Sequence, residues 1–256
     1  MAGEVFIPGM LGSHIQTVSA DITRARFENR LKPSETPFSE EDTQASLTRF
    51  AKRITADGLN DCMQSFAKGS TSTNREFTLK TVFNPRKMEV IEDEGMGEFY
   101  FDGDFSLALG IKSHIVPENK TWVGVTSFCL GRGIEKYMPY GENHLTGAMP
   151  FRYPHPVIVQ IQGPSPSAYG RAYRLELYCE AMSVLQDYKW ERALIGLTLD
   201  WAREEGIPSV YLLPADKNRW TKSREQHERL EMRYDVSAKR LGFKLQPNGL
   251  YATSVV

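Results

Sequence analysis

Residues 194–220 read LIGLTLDWAREEGIPSVYLLPADKNRW, and residues 233–255 read RYDVSAKRLGFKLQPNGLYATSV. In the first stretch Leu194, Ile195, Leu197, Thr198, Trp201 and Ala202 recur at helical spacing. An amphipathic helix is therefore predicted over Glu191–Glu205, with Gly206 as its stop and Pro208 preventing its continuation. Val210–Leu213 is a short apolar run of the kind buried inside a sheet. The second stretch closes a charged helix predicted from about Thr221 to Leu241, stopped at Gly242. Phe243–Leu245 and Leu250–Val255 then flank Pro247-Asn248-Gly249 as a hairpin. The tail is thus helix, strand, helix, two strands.

Upstream, Arg174–Asp187 fits either periodicity. Tyr173, Leu175, Leu177, Cys179 and Ala181 suit a strand, and Leu175, Tyr178, Cys179, Met182 and Leu185 suit a helix, which residue propensities favour. Val157–Ile161, Thr121–Leu130, Phe77–Phe83 and a hairpin of Glu98–Phe101 with Ser106–Ile111 around Asp102-Gly103 are predicted strands. Met138–Pro156, with four prolines, reads as loop. Ser39 is a good N-cap before Glu40, Glu41 and Asp42, and Leu47, Phe50, Ala51 and Ile54 carry that helix to about Ile54. A second helix runs Leu59–Ala67, and Thr17–Phe27 alternates loosely as an opening strand. The expected class is α/β with a mixed sheet, in one domain over residues 1–256, best marked over 157–256.

The totals exclude several function classes. The 256 residues hold 31 basic and 32 acidic side chains, a net charge of −1, so nothing global draws the chain to nucleic acid or an anionic membrane. Charge is uneven locally. Glu89–Asp104 holds seven acids and no base, and Asp216–Lys244 holds nine bases against five acids. Each is either a solvated face or a rim, acidic for a cationic substrate and basic for a phosphate-bearing cofactor. Cys62, Cys129 and Cys179 form neither a disulfide framework nor a zinc motif and read as small buried hydrophobes. His14, His114, His144, His155 and His227 are scattered, so no metal site is expected. The first residues lack a signal-peptide pattern and no run approaches a membrane span, so a cytoplasmic protein is expected.

The quoted stretches resemble the C-terminal half of the GCN5-related N-acyltransferases over about residues 187–256. That family ends with a helix, a buried strand, an Asn near the strand's end, a helix closing in Gly-Phe, and a final strand pair. The resemblance implies an acyl-CoA N-acyltransferase fold, acetyl-CoA or another acyl-CoA as co-substrate, and a small-molecule or protein amine as acceptor. The amine would attack the thioester directly, between splayed strands.

Residue by residue, the carry-over is uneven. The family's pyrophosphate loop, [Q/R]xxGx[G/A], uses glycines at a helix N-terminus to bring backbone N–H groups to phosphate. Here the region from Val184 onward puts Lys189 at the first position and Arg192 and Leu194 where glycines belong; Lys189 and Arg192 would have to hold phosphate by charge. Asn218 matches the family's cofactor-bonding Asn, or is a turn residue of Asp216-Lys-Asn. The Tyr that serves as acid to the leaving thiolate is replaced by Ala238, with Tyr234 one turn earlier. Glu176 and Glu180 are candidate bases acting through water. The missing glycines and Ala238 carry a second expectation, a catalytically silent protein of this fold acting as a structural or interaction component. A third is an unrelated α/β domain sharing the same run of elements.

Overall fold

The computed structural model describes residues 39–69, 75–83, 101–114, 120–130, 155–164, 172–218 and 223–255. In chain order the elements are α1 (Glu40–Asp57), α2 (Leu59–Ser65), β1 (Phe77–Phe83), β2 (Phe105–Lys112), β3 (Lys120–Leu130) and β4 (Pro156–Gln162). They continue as α3 (Ala172–Asp187), α4 (Trp190–Glu204), β5 (Ser209–Leu212), α5 (Arg224–Glu231), a π turn (Met232–Val236), α6 (Ser237–Arg240), β6 (Lys244–Leu245) and β7 (Tyr251–Ser254). The predicted opening strand at Thr17–Phe27 lies outside the described residues.

The strands form one mixed sheet in the order β1-β2-β3-β4-β5-β7-β6. Every neighbouring pair is antiparallel except β4 and β5, which run parallel. A parallel pair needs a crossover, and α3 and α4 supply it. The α/β class with a mixed sheet is therefore borne out.

One face of the sheet carries Phe105, Leu107, Leu109, Ile111, Phe128, Ile158 and Ile161 into a core shared with α1, α2, α3 and α4. Trp201 anchors this core. Its ring lies 5.2 Å from that of Phe128, and its indole N–H donates to Ser46 Oγ on α1 at 2.9 Å, so the buried donor is satisfied. Ser39 caps α1 as expected, accepting from the Asp42 N–H at 3.0 Å. Gly206 (φ 67°) stops α4 in the left-handed region. The other face carries Val82, Ala108, Trp122 and Val125, with Phe101 packed against them.

That placement of Phe101 corrects the expected Asp102-Gly103 hairpin. A two-residue turn of that type needs Gly at positive φ, and Gly103 is not among the positive-φ glycines. Instead 101–104 crosses over β3. A Cβ on Gly103 would lie 2.6 Å from Phe128 N and 2.7 Å from Phe128 O. Close backbone approach, and not turn geometry, is why the glycine is there.

Other expectations are sharpened or corrected. Arg174–Asp187 is helical. Leu59–Ala67 ends at Ser65, because the chain turns at Phe66 and Ala67 bridges to Tyr188. The charged helix is not continuous, since the π turn interrupts it. Cys62 and Cys129 are buried, but Cys179 is exposed, because it lies on the outer side of α3. No helix among the described residues is long and apolar enough to cross a membrane.

The Gly103 contact sets a test of the crossing. Gly103→Ala is expected to lower the unfolding free energy by about 3 kcal/mol, because the clash is with backbone that cannot rotate away. Gly58→Ala, whose methyl meets only Ile54 Cδ1 at 3.9 Å, is expected to cost less than about 1 kcal/mol. Denaturant titration compares the two.

Candidate functional site

The parallel pair is brief. Only Val157 with Tyr211 and Ile158 with Leu212 are in register, and the last link is the Leu213 N–H donating to the Ile158 carbonyl at 2.9 Å. Beyond Ile158, β4 continues to Gln162 paired to β3 alone. Its other edge turns backbone groups toward a gap that β5 does not fill, and an unpaired buried N–H or C=O is costly.

Two side chains fill that need. Tyr234 comes from the π turn, and its hydroxyl oxygen accepts from the Ile161 N–H at 2.8 Å. Asn218, just past β5, donates from Nδ2 to the Val159 carbonyl at 3.5 Å and also hydrogen-bonds the Tyr234 hydroxyl. Both are buried, at 1% and 3% exposure. Burial is the largest influence holding the Tyr234 phenol protonated well above its ordinary range; the Ile161 N–H opposes it and the charge of Asp102 adds to it. The neighbouring Asp235 carboxylate accepts from the Ala215 N–H at 2.9 Å and bears on Tyr251, whose pKa burial and Asp235 push up to about 12. The π turn thus ties the helix to both sides of the gap, in keeping with the habit of such turns to occur at functional sites.

Asp102 reaches the same strand from the opposite face. Its N–H donates to Gln160 Oε1 at 2.9 Å, which also accepts from Ser127 Oγ at 2.7 Å. Gln160 Nε2 donates to Gln162 Oε1 at 2.8 Å, and Ser106 Oγ donates to Ser127 Oγ at 2.7 Å. A buried polar seam therefore runs beside the open edge of β4, with Asp102 itself 8% exposed. Sequence reasoning singles out none of Asp102, Gln160 and Ile161 as candidates. The one signal in the sequence is the acid-rich run around Asp102, either a solvated face or a rim.

At the C-terminal end of β4 lies the start of α4. Trp190 packs so closely that a Cβ on Gly163 would come within 3.3 Å of its ring and one on Gly124 within 2.7 Å. The Arg233 guanidinium sits 5.7 Å from the centroid of the same ring. This is where the expected phosphate seat falls, and the protein occupies it. The Lys189 N–H donates to the Phe66 carbonyl at 2.8 Å, and the Lys68 N–H donates to the Asp187 carbonyl at 2.7 Å, so 66–68 straps the α3–α4 junction. Glu191, in the first turn of α4, accepts from its own backbone N–H. Burial raises its carboxyl, while that N–H and the charges of Arg233, Lys68 and Arg192 pull it down. Burial also lowers the Arg192 guanidinium, as does nearby Arg240.

The remaining candidates lie apart from the gap. Val184 is buried in the core, and its carbonyl accepts from the Tyr188 N–H. Glu176 and Glu180 do not share an environment, because α3 exposes the first and buries the second. Glu180 accepts from Ser113 Oγ (2.8 Å), the His114 N–H (2.8 Å) and Thr121 Oγ1 (3.1 Å), locking α3 to the adjoining ends of β2 and β3. Among the described residues no group of His, Cys, Asp and Glu is placed to hold a metal ion.

Compared with protein-family models, curated proteins and solved structures, the chain matches none.

Two outcomes follow from the phenols whatever the function. Tyr234→Phe strands the Ile161 N–H and is expected to cost about 1–3 kcal/mol in a denaturant titration. Tyr251 and Cys62 are raised to about 12, and Tyr234 is raised as well. The native state therefore keeps protons that the unfolded chain releases above about pH 9–10, and stability falls as pH rises through that range. The unfolding free energy is expected to decline above about pH 9, and less steeply above about pH 10 in Tyr251→Phe.

Proposed function

We propose that the chain is an acyl-thioester N-acyltransferase built on the GCN5-related fold, with acetyl-CoA or a longer acyl-CoA as donor and an amine as acceptor. The observation that carries this reading is the single parallel pair, β4 with β5, which parts after Ile158 and is lined by Tyr234 and Asn218. The order of strands around that pair, with two strands antiparallel beyond β5, supports it.

The chemistry is direct attack. The donor's pantetheine arm lies along the open edge of β4, and the thioester carbonyl takes the Ile161 N–H that Tyr234 now holds. That N–H is an oriented donor in a dry setting, where it stabilises developing negative charge most strongly. Displaced by one bond, the Tyr234 hydroxyl faces the sulfur. Its raised pKa makes full proton transfer to a thiolate uphill, so it acts first as a hydrogen-bond donor to the leaving group. Asn218 holds the ring in place.

One observation favours a second reading, a silent protein of this fold that serves as a structural or interaction component. The strap at 66–68 and the Glu191 carboxylate occupy the place where a pyrophosphate would bind. Under the enzymatic reading the basic side chains Lys189, Arg192 and Arg233 take the phosphates at the rim instead.

Thermal unfolding with acetyl-CoA separates the two. A donor at about 100 times its Kd is expected to add about 2.7 kcal/mol, raising Tm by about 5–10 °C in a chain of this size. Arg192→Ala is expected to lose most of the rise. No shift with acetyl-CoA or with long-chain acyl-CoAs overturns the enzyme and leaves the silent reading.

A further inference from the structure

The polar seam beside β4 has a direction, and backbone sets it. The Asp102 N–H can only donate. It meets Gln160 at 2.9 Å, so the atom it meets is the amide oxygen, Oε1. Ser127 Oγ, 2.7 Å from the same oxygen, donates to it as well. The other corner of the Gln160 amide, Nε2, has only hydrogens to offer, and it lies 2.8 Å from Gln162 Oε1. The Gln162 amide is fixed in turn. Its oxygen accepts within the seam, and its Nε2 is left with two N–H donors that none of the described residues accepts. A free surface amide can flip and offer either corner, whereas this one is held in a single sense by a backbone N–H that cannot reverse.

Its position gives that fixed donor a use. Gln162 is the last residue of β4 and follows Ile161, whose N–H marks the expected position of the thioester carbonyl. Successive side chains leave opposite faces of a strand. Ile161 lies in the core with Tyr234 and the helices, whereas Gln162 shares the outer face with Gln160, Ser127 and Ser106. The other three members of the seam are buried, and Gln162 is the one that is partly exposed. On the helix side the Ile161 N–H is covered by Tyr234, itself 1% exposed. The outer face is the side left for a second reactant to meet the carbonyl.

We infer that Gln162 is a specificity-determining residue for the acyl acceptor: its Nε2 donates to an oxygen, hydroxyl or carbonyl, carried close to the amine. The inference rests on the acyltransfer reading and adds the class of acceptor, an amino alcohol or amino amide in preference to a plain alkylamine. A side chain that can only donate gives no hold to a second ammonium, so polyamines are not the favoured class.

The test measures thiol release from acetyl-CoA with ethanolamine, which carries a hydroxyl, glycinamide, which carries a carbonyl, and propylamine, which has neither. Gln162→Glu keeps an oxygen for Gln160 Nε2 and turns the outward atom from donor to acceptor; Gln162→Ala removes it. Each variant is expected to lower kcat/KM for an oxygen-bearing amine relative to propylamine by at least about 10-fold, chiefly through KM. Comparing the same ratio in the unaltered protein cancels the intrinsic reactivity of the amines. A fall with ethanolamine alone identifies a hydroxyl as the group read, and a fall with glycinamide alone a carbonyl. Ratios unchanged or raised with both amines overturn the assignment and leave the acyltransfer reading standing. Absence of thiol release by the unaltered protein with all three amines overturns that reading, and the assignment with it. Melting curves check that the variants fold, and if one does not, the other decides.

Discussion

The hydrogen bond from the Ile161 N–H to the Tyr234 hydroxyl settles how the two halves of the sheet can part without leaving buried backbone unpaired. On one side lie β1 to β4, an antiparallel meander. On the other lie β5, β7 and β6. Two residue pairs join them. A sheet opened at its centre would ordinarily forfeit several backbone bonds of roughly 1 kcal/mol each. Tyr234 and Asn218 replace them with side-chain partners for the Ile161 N–H and the Val159 carbonyl. The same bond explains why a phenol, and not another aromatic ring, is buried at this point.

The helical end of the chain was legible because its signals are local. The apolar face of α4, Gly206 and Gly242 each sit within a few residues of the element they define, and the structure follows them closely. Glu176 and Glu180 show where such reading fails. Four residues apart on one helix, they share a face, but one is solvated and the other is drawn into Ser113, His114 and Thr121, which come from strands far away in sequence. Asp102-Gly103 failed for a related reason. The dipeptide has strong turn chemistry, yet the need for a backbone to pass close to Phe128 prevailed, and no local pattern encodes that need.

Within the candidate site, legibility divides along the same line. Tyr234 and Asn218 stand out in the sequence by their offsets from the Gly-Phe pair and from β5, and the structure places both beside the end of β4. The polar seam of Ser106, Ser127, Gln160 and Gln162 does not stand out there, since its members come from three strands and each alone reads as an ordinary polar residue. The phosphate seat that the resemblance implies lacks its glycines in the sequence, and in the structure a strap following α2 and the Glu191 side chain engage the start of α4.

The π turn has a consequence for how such a site changes over generations. A helix that admits one extra residue in a single wide turn leaves both of its ends in phase with their own neighbours. Here Arg224–Glu231 keeps its surface ion pairs and Ala238 and Leu241 keep their places in the core. The gain or loss of one codon between Met232 and Val236 therefore changes which side chain looks into the gap and disturbs little else. A side chain that looks into the gap can thus be moved along the chain at small cost to the fold, so the spacing between the tyrosine and the closing Gly-Phe pair need not be constant.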